Sequence, residues 1–304
     1  MKVYPNKENR CAQNHDEVDF LEVYITNKCN AKCEWCFDKN SYHPASKTDY
    51  QSIADTILSF NYNKIWLTGG EPMLYKDLKK LIDLLISHNK IIYITTNGSK
   101  LNIESVEDLK SVENLTISIH HFDLQKNYEL TKIKLDKSIL TESIKKLHKY
   151  GVIVRINCTV TKGYLDTLED IYKFIEFGKE IGADSVRFAE VAYYDDLFVD
   201  LNKIFNSNYG LTDEPFVNGC YKSTMINDMP IDIKLSCGAL TNKRKLPEGT
   251  HVDAYKNVVY YDGQSYKGWQ SSYAFYEEKT IDNILDDFLE SRISKKNAVK
   301  YLSL

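Results

Sequence analysis

The 304 residues predict a parallel α/β protein with a smaller α+β region at its C-terminal end. Three observations carry that expectation. Strand-like and helix-like segments alternate six times between residues 18 and 189, the pattern of right-handed βα units in a parallel sheet. Apolar and polar residues alternate along the strand-like segments, so one sheet face suits a helix layer and the other does not. The residues that look chemical are a cysteine-rich loop, a Gly-Gly-Glu-Pro turn, a Thr-Asn-Gly turn and a His-His pair. All follow strand ends, where parallel α/β proteins bind ligands.

Residues 1–17 are polar and unpatterned and are expected to form an arm over the first strand. In 18–26, Leu21, Val23 and Ile25 alternate with Glu22, Tyr24 and Thr26, a strand that runs directly into the cysteine loop. Helical spacing of Ile53, Ile57 and Phe60 marks a helix over 48–60, with Thr48 or Ser46 as its cap. A strand at 64–68 leads through Gly69-Gly70-Glu71-Pro72 into a helix ending near His88. The next strand, 91–95, leads through Thr96-Asn97-Gly98 into a short helix near 104–110. Strand 115–120 and helix 135–150 follow, then strand 152–160, helix 168–181 closed by Gly182, and a sixth strand at 185–189.

The strand faces can be read from the alternation. Leu115, Ile117 and Ile119 oppose Thr116, Ser118 and His120; Val154, Ile156, Cys158 and Val160 oppose Arg155, Asn157 and Thr159. Ile65 and Leu67 likewise oppose Trp66 and Thr68, and Val186 and Phe188 oppose Arg187. Helices need the apolar set, which leaves hydroxyls, amides, two arginines and a histidine on the inner face. That lining is costly unless something polar occupies the space; a zwitterionic nucleoside would meet the requirement.

Composition sets outer bounds. The net charge is −4, so no global basic field points to nucleic acid. The start, MKVYPNKENR, has no apolar core of a signal peptide, and no run reaches the roughly 18–20 apolar residues of a membrane helix. With seven cysteines and no targeting segment, a reducing cytoplasm is the expected compartment.

Three of those cysteines, Cys29, Cys33 and Cys36, fall in one loop with C-x3-C-x2-C spacing. Soft thiolates this close converge on a metal centre. Three are too few for a closed tetrahedral zinc site, for which His43 is the available fourth ligand. They suit a [4Fe-4S] cluster with one iron left open.

This spacing, with Trp35 before the third cysteine, resembles the signature of the radical S-adenosylmethionine (SAM) enzymes. Thr68-Gly69-Gly70-Glu71-Pro72 is similar to that family's GGE motif and follows a strand at the right distance. The resemblance covers roughly 18–190 and implies an open, partial (β/α)6 barrel. It implies one [4Fe-4S] cluster on Cys29, Cys33 and Cys36, and SAM beside it. Trp35 would border the adenine, and Thr68, Gly69, Gly70 and Glu71 would meet the methionine amino group. Ser118, Asn157, Thr95, Asn97 and Arg187 would supply further SAM contacts. His120, His121, Arg155 and Glu190 are candidate substrate contacts; either arginine could instead pair with Glu22 or Glu190. The implied reaction is reductive cleavage of SAM to a 5′-deoxyadenosyl radical that abstracts hydrogen, with flavodoxin or ferredoxin as electron donor.

The domain boundaries expected are an arm at 1–17, the barrel at 18–194 and a cap at 195–304. The cap resembles twitch or SPASM extensions in its hairpin-like stretch 252–263, but Cys237 is the last cysteine, so no auxiliary cluster is expected. It is read as a clusterless cover for the open side of the barrel, finished by a helix or two over 279–304. Cys220 or Cys237 is a candidate hydrogen-atom donor, with a small buried thiol as the plainer reading. The missing auxiliary cysteines, and the short stretch before Cys29, lean towards a small-molecule substrate (nucleotide, sugar or cofactor precursor). A ribosomally made peptide is the alternative, and a non-catalytic zinc or iron–sulfur module the second.

Overall fold

The structure is a computed structural model that describes residues 20–36, 38, 47–192, 194–209, 221–236 and 257–267. Six parallel strands form its centre: β1 (Phe20–Tyr24), β2 (Lys64–Thr68), β3 (Ile91–Thr96), β4 (Asn114–Ser118), β5 (Ile153–Val160) and β6 (Ser185–Glu190). They lie side by side in chain order. Four more strands follow: β7 (Tyr221–Ile226), β8 (Met229–Lys234), β9 (Asn257–Tyr260) and β10 (Ser265–Lys267). The complete order is β10-β9-β1-β2-β3-β4-β5-β6-β8-β7, with β8 parallel to β6 and β9 parallel to β1. Among the described residues the sheet does not close on itself, as expected of a partial barrel.

The described C-terminal strands lengthen the sheet at both edges. β7–β8 turns through Asn227 and Asp228, whose φ values of 49° and 60° match the twist of a tight hairpin. β9–β10 turns through Gly263 and sits a few residues beyond the stretch anticipated for it. It is tied to the first helix, where Thr56 Oγ1 donates to Gly263 O at 2.5 Å, and Thr48 N donates to Tyr261 O at 3.1 Å. The helix expected at 279–304 and the thiols Cys220 and Cys237 lie outside the described residues.

Helices α1 (Tyr50–Leu58), α2 (Leu78–Ser87), α4 (Lys137–Lys149) and α5 (Leu168–Ile181) cover the outer face. Each buries an apolar stripe on the helix-facing set of the strands, including Ile53, Leu81, Ile144 and Phe174 against Leu67, Ile94, Ile117, Val154 and Phe188. Acidic and hydroxyl caps fix where they begin. Asp49, not Thr48 or Ser46, caps α1 through Ser52 N, Asp136 caps α4 and Thr167 caps α5. Gly182, at φ 85°, ends α5 as expected. The β4–β5 crossover carries an additional helix, α3 (Leu124–Thr131), capped by Asp123. Its sequence, LQKNYELT, offers too few apolar residues to show a helical period. The last helix among the described residues, α6 (Leu201–Tyr209), follows β6.

The inner face is polar, as the alternation predicts. Arg155, Asn157 and Thr159 are half-buried on β5, while Val154, Ile156, Cys158 and Val160 are buried beneath the helices. Register fixes one polar row across adjacent strands: Ser118 pairs with Asn157, Asn157 with Arg187, and Arg187 with Asp232 of β8. Trp66 of β2 reaches across the concavity, its ring 5.5 Å from the Arg155 guanidinium and 5.6 Å from that of Arg187. Phe20 and Tyr93 flank the same indole, which makes it the floor of the inner space.

Candidate active site at the C-terminal rim of the sheet

The cysteine loop leaves β1 pinned to the turn after β2. Ile25 N donates to Thr68 O (2.9 Å), Gly70 N to Thr26 O (2.7 Å) and Glu71 N to Lys28 O (2.7 Å). This contact is why Gly69 and Gly70 are glycines. A Cβ on Gly69 would stand 2.5 Å from Thr26 O, and one on Gly70 2.4 Å from Lys28 O. The close approach expected towards a ligand is therefore made to the chain itself.

On the loop, Cys29 is exposed while Cys33 and Cys36 are partly buried, and all three are free thiols. Cys36 N donates to Cys33 O at 3.2 Å, and Lys32 N docks the loop on α3 through Thr131 O at 2.8 Å. Two donors reach the Cys29 sulfur: Ala31 N at 3.4 Å and, more distantly, Asn97 Nδ2 at 4.0 Å. Burial pushes the Cys29 thiol up, and the Ala31 N–H acts against it. Three soft donors on one loop, with N–H groups turned to one sulfur, fit an iron–sulfur cluster. Among the described residues, no three His, Cys, Asp or Glu side chains gather closely enough to hold a single metal ion.

Glu71 closes the structure beneath this loop. Its carboxylate is 1% exposed and accepts from Met73 N (2.9 Å), Thr96 Oγ1 (2.6 Å) and Asn97 N (2.6 Å). Burial raises its pKa, and the donors of Asn97, Thr96 and Met73 pull it back. A carboxylate so engaged holds the Thr-Asn-Gly turn after β3. Asn97 then bridges outward, its Nδ2 donating to Asn30 Oδ1 at 2.9 Å. Thr95 instead accepts from Trp66 Nε1 at 2.8 Å and belongs to the floor.

Trp35 packs with Leu130 and Val191, its ring edge-on to His120 at 5.0 Å. His120 is itself buried in chain contacts: Nδ1 accepts from Thr159 N (3.0 Å), and its backbone N donates to Asn127 Oδ1 of α3 (2.8 Å). Burial lowers its pKa from 6.5 to about 4, so the ring is neutral. His121 is buried too, with Nδ1 accepting from Asp123 N at 2.9 Å. The described contacts of both histidines are with the chain, not with an open site.

Glu190 faces the other way from the row it was grouped with. It shares the helix-facing set with Val186 and Phe188, and its oxygens accept from Leu201 N (3.0 Å) and Ser236 N (2.6 Å). Arg155 pairs with neither Glu22 nor Glu190 among its described contacts. It donates to Asp232 Oδ2 and to Thr116 Oγ1, each at 3.2 Å. Asp232, held in turn by Ser223 Oγ at 2.8 Å, escaped the sequence reading because nothing local marks β8 as a neighbour of β6. By contrast, the Ser118 hydroxyl and the Asn157 amide have no hydrogen-bond partner among the described residues, although they sit in the polar row on the inner face.

Residues 23–178, just over half of the chain, match the family model of the Radical SAM superfamily. The chain belongs to the radical SAM superfamily. It is 28% identical over 184 residues to GTP 3′,8-cyclase of Aquifex aeolicus, spanning 56% of this chain and 55% of the relative. It is 29% identical over 167 residues to an S-adenosylmethionine-dependent nucleotide dehydratase of Lacinutrix mariniflava, spanning 50% of this chain and 35% of the relative. The chain thus spans about half, or less, of the curated relatives' length. Among solved structures it resembles Streptococcus suis SuiB bound to S-adenosylmethionine, with TM-score 0.58 at 19% identity, covering 86% of this chain and 62% of that one. That likeness shows the fold. Radical SAM enzymes use a [4Fe-4S] cluster and SAM. The family implies a reductant and a substrate. No helix among the described residues is long and apolar enough to cross a membrane.

Proposed function

We propose that the chain is a radical SAM enzyme that abstracts hydrogen from a small molecule of the nucleotide class. In this reading Cys29, Cys33 and Cys36 hold the cluster. Ser118 and Asn157 bind SAM from the inner face, Trp35 and the Thr68–Glu71 turn border it, and Arg187 faces it from the same row. When bound and reduced, the cluster and SAM together supply a 5′-deoxyadenosyl radical that takes a hydrogen atom from the substrate. The chain's own contribution is positional. Glu71 fixes the Asn97 turn against the cysteine loop, the Trp66 floor excludes water from below, and His120 stays neutral beneath Trp35.

The observation that carries the reading is the pair Ser118 and Asn157, polar and unengaged among the described residues, in a row whose other members Arg187 and Asp232 are charged. Half-buried donors and acceptors not committed to the chain are free to meet a polar ligand. The nucleotide class is supported by relatives named as a GTP cyclase and a nucleotide dehydratase.

The test is anaerobic. The protein is reconstituted with iron and sulfide, reduced with dithionite, and assayed for 5′-deoxyadenosine from SAM beside Cys33→Ala. Deuterated nucleotides are then supplied. Cleavage by the wild type alone, with deuterium appearing in 5′-deoxyadenosine, is expected. A cluster that cleaves SAM yet takes deuterium only from a peptide would reject the substrate class.

A further inference from the structure

Exposed lysines stand on the cysteine loop and on two segments hydrogen-bonded to it. Lys28 and Lys32 flank Cys29 on the loop, Lys100 follows the Asn97 turn, and Lys132 and Lys134 follow α3; all five are exposed. Hydrogen bonds bring these segments together: Asn30 Nδ2 to Ser99 Oγ at 2.9 Å, and Lys32 N to Thr131 O at 2.8 Å. Across 27–36, 97–101 and 128–135 the only acidic residues are Glu34 and Glu129. Asp136, next in the chain, is turned into the α4 N-terminus, where it accepts from Ser138 N and Ile139 N. Five lysines against two glutamates, with the half-buried Asp38 also acting electrostatically on Cys29, leave this face net cationic on a chain of net charge −4. Cys29, the one exposed thiol of the three, lies between Lys28 and Lys32 on the loop.

We propose that this lysine-rimmed face is the docking surface for an acidic one-electron carrier protein. The inference rests on the cluster assignment above, because Cys29 makes this the side on which the redox centre comes nearest to solvent. Electron-transfer encounters are small and weak, and rim charge sets their rate and salt dependence. In the step served, one electron leaves the reduced carrier and enters the bound cluster, with no bond made or broken. A polyanion such as nucleic acid would use the charge but not the exposed thiol beside it.

The test measures binding of an acidic ferredoxin to the anaerobically reconstituted protein by calorimetry, at low and raised salt. The triple variant Lys100→Glu, Lys132→Glu, Lys134→Glu alters the face without touching the cysteine loop. Lys110→Glu, Lys145→Glu, Lys149→Glu makes the same charge change at exposed positions remote from it. The face variant is expected to bind about tenfold more weakly or worse and to lose most of its salt dependence, with the remote variant within about twofold of wild type. Equal losses in both variants, or no loss in either, would overturn the proposal. Dithionite-driven SAM cleavage is run alongside. Its absence in the wild type would reject the cofactor reading, while the binding comparison still decides the docking face.

Discussion

The Glu71 carboxylate receives three donors within 2.9 Å while almost wholly removed from water, so its removal orphans buried N–H and O–H groups. Each orphan costs about 1–3 kcal/mol. Glu71→Ala is therefore expected to destabilise the protein by about 3 kcal/mol in urea unfolding and to lower the iron bound per chain, since the Asn97 turn loses its anchor. His120 makes a different kind of prediction. Its folded pKa of about 4 lies below the ordinary 6.5, so between those values the unfolded chain takes a proton that the folded chain refuses. Its stabilising contribution is intact above pH 6.5 and declines as pH falls towards 4, by about 3 kcal/mol in total. Glu71, with a raised folded pKa, shifts the curve the opposite way, so the comparison is between wild type and His120→Asn. The variant should show the smaller loss on acidification. Equal slopes would mean that His120 does not titrate as described.

At the level of elements, the β2 turn and the β1 exit behave as one piece. A methyl at Gly70 would stand 2.4 Å from Lys28 O, too close for any adjustment short of moving the cysteine loop. Gly70→Ala is expected to cost about 2 kcal/mol or more and to impair cluster assembly, read from visible absorbance after reconstitution. The motif was legible in the sequence because Gly-Gly-Glu-Pro followed a strand, but its purpose was not, since the partner Thr26–Lys28 is some forty residues away. The strands were legible for a stronger reason. β5 and β6 alternate so regularly that Arg155, Asn157 and Arg187 could be assigned to the inner face from order alone. Glu190 misled because only its position next to the strand end was visible, whereas parity places it with Phe188 under the helices. α3 was missed because an eight-residue helix held mainly by its Asp123 cap and by Asn127 leaves little hydrophobic period to detect.

For the molecule as a whole, the C-terminal third contributes to the inner space through Asp232. Its ion pair with Arg155 is largely screened from solvent, at 12% and 18% side-chain exposure. Asp232→Ala is expected to cost about 2 kcal/mol in urea unfolding, less than a fully buried pair because some water still reaches it. A loss near zero would show that the barrel floor holds Arg155 without β8. The eight-strand parallel arrangement could not be read in advance, because a strand's neighbour in a sheet is a long-range fact and only the consecutive β1–β6 order is local. The pairing of β9 with β1 bears on how the chain is made. Glu22 has Val258 as its register partner, so this edge of β1 gains its mate only after synthesis has run on through more than two hundred further residues to β9. Throughout that interval the edge is open to pairing with other nascent chains. The protein should therefore be recovered better when translation is slow and concentration low, and worse when expression is fast and crowded.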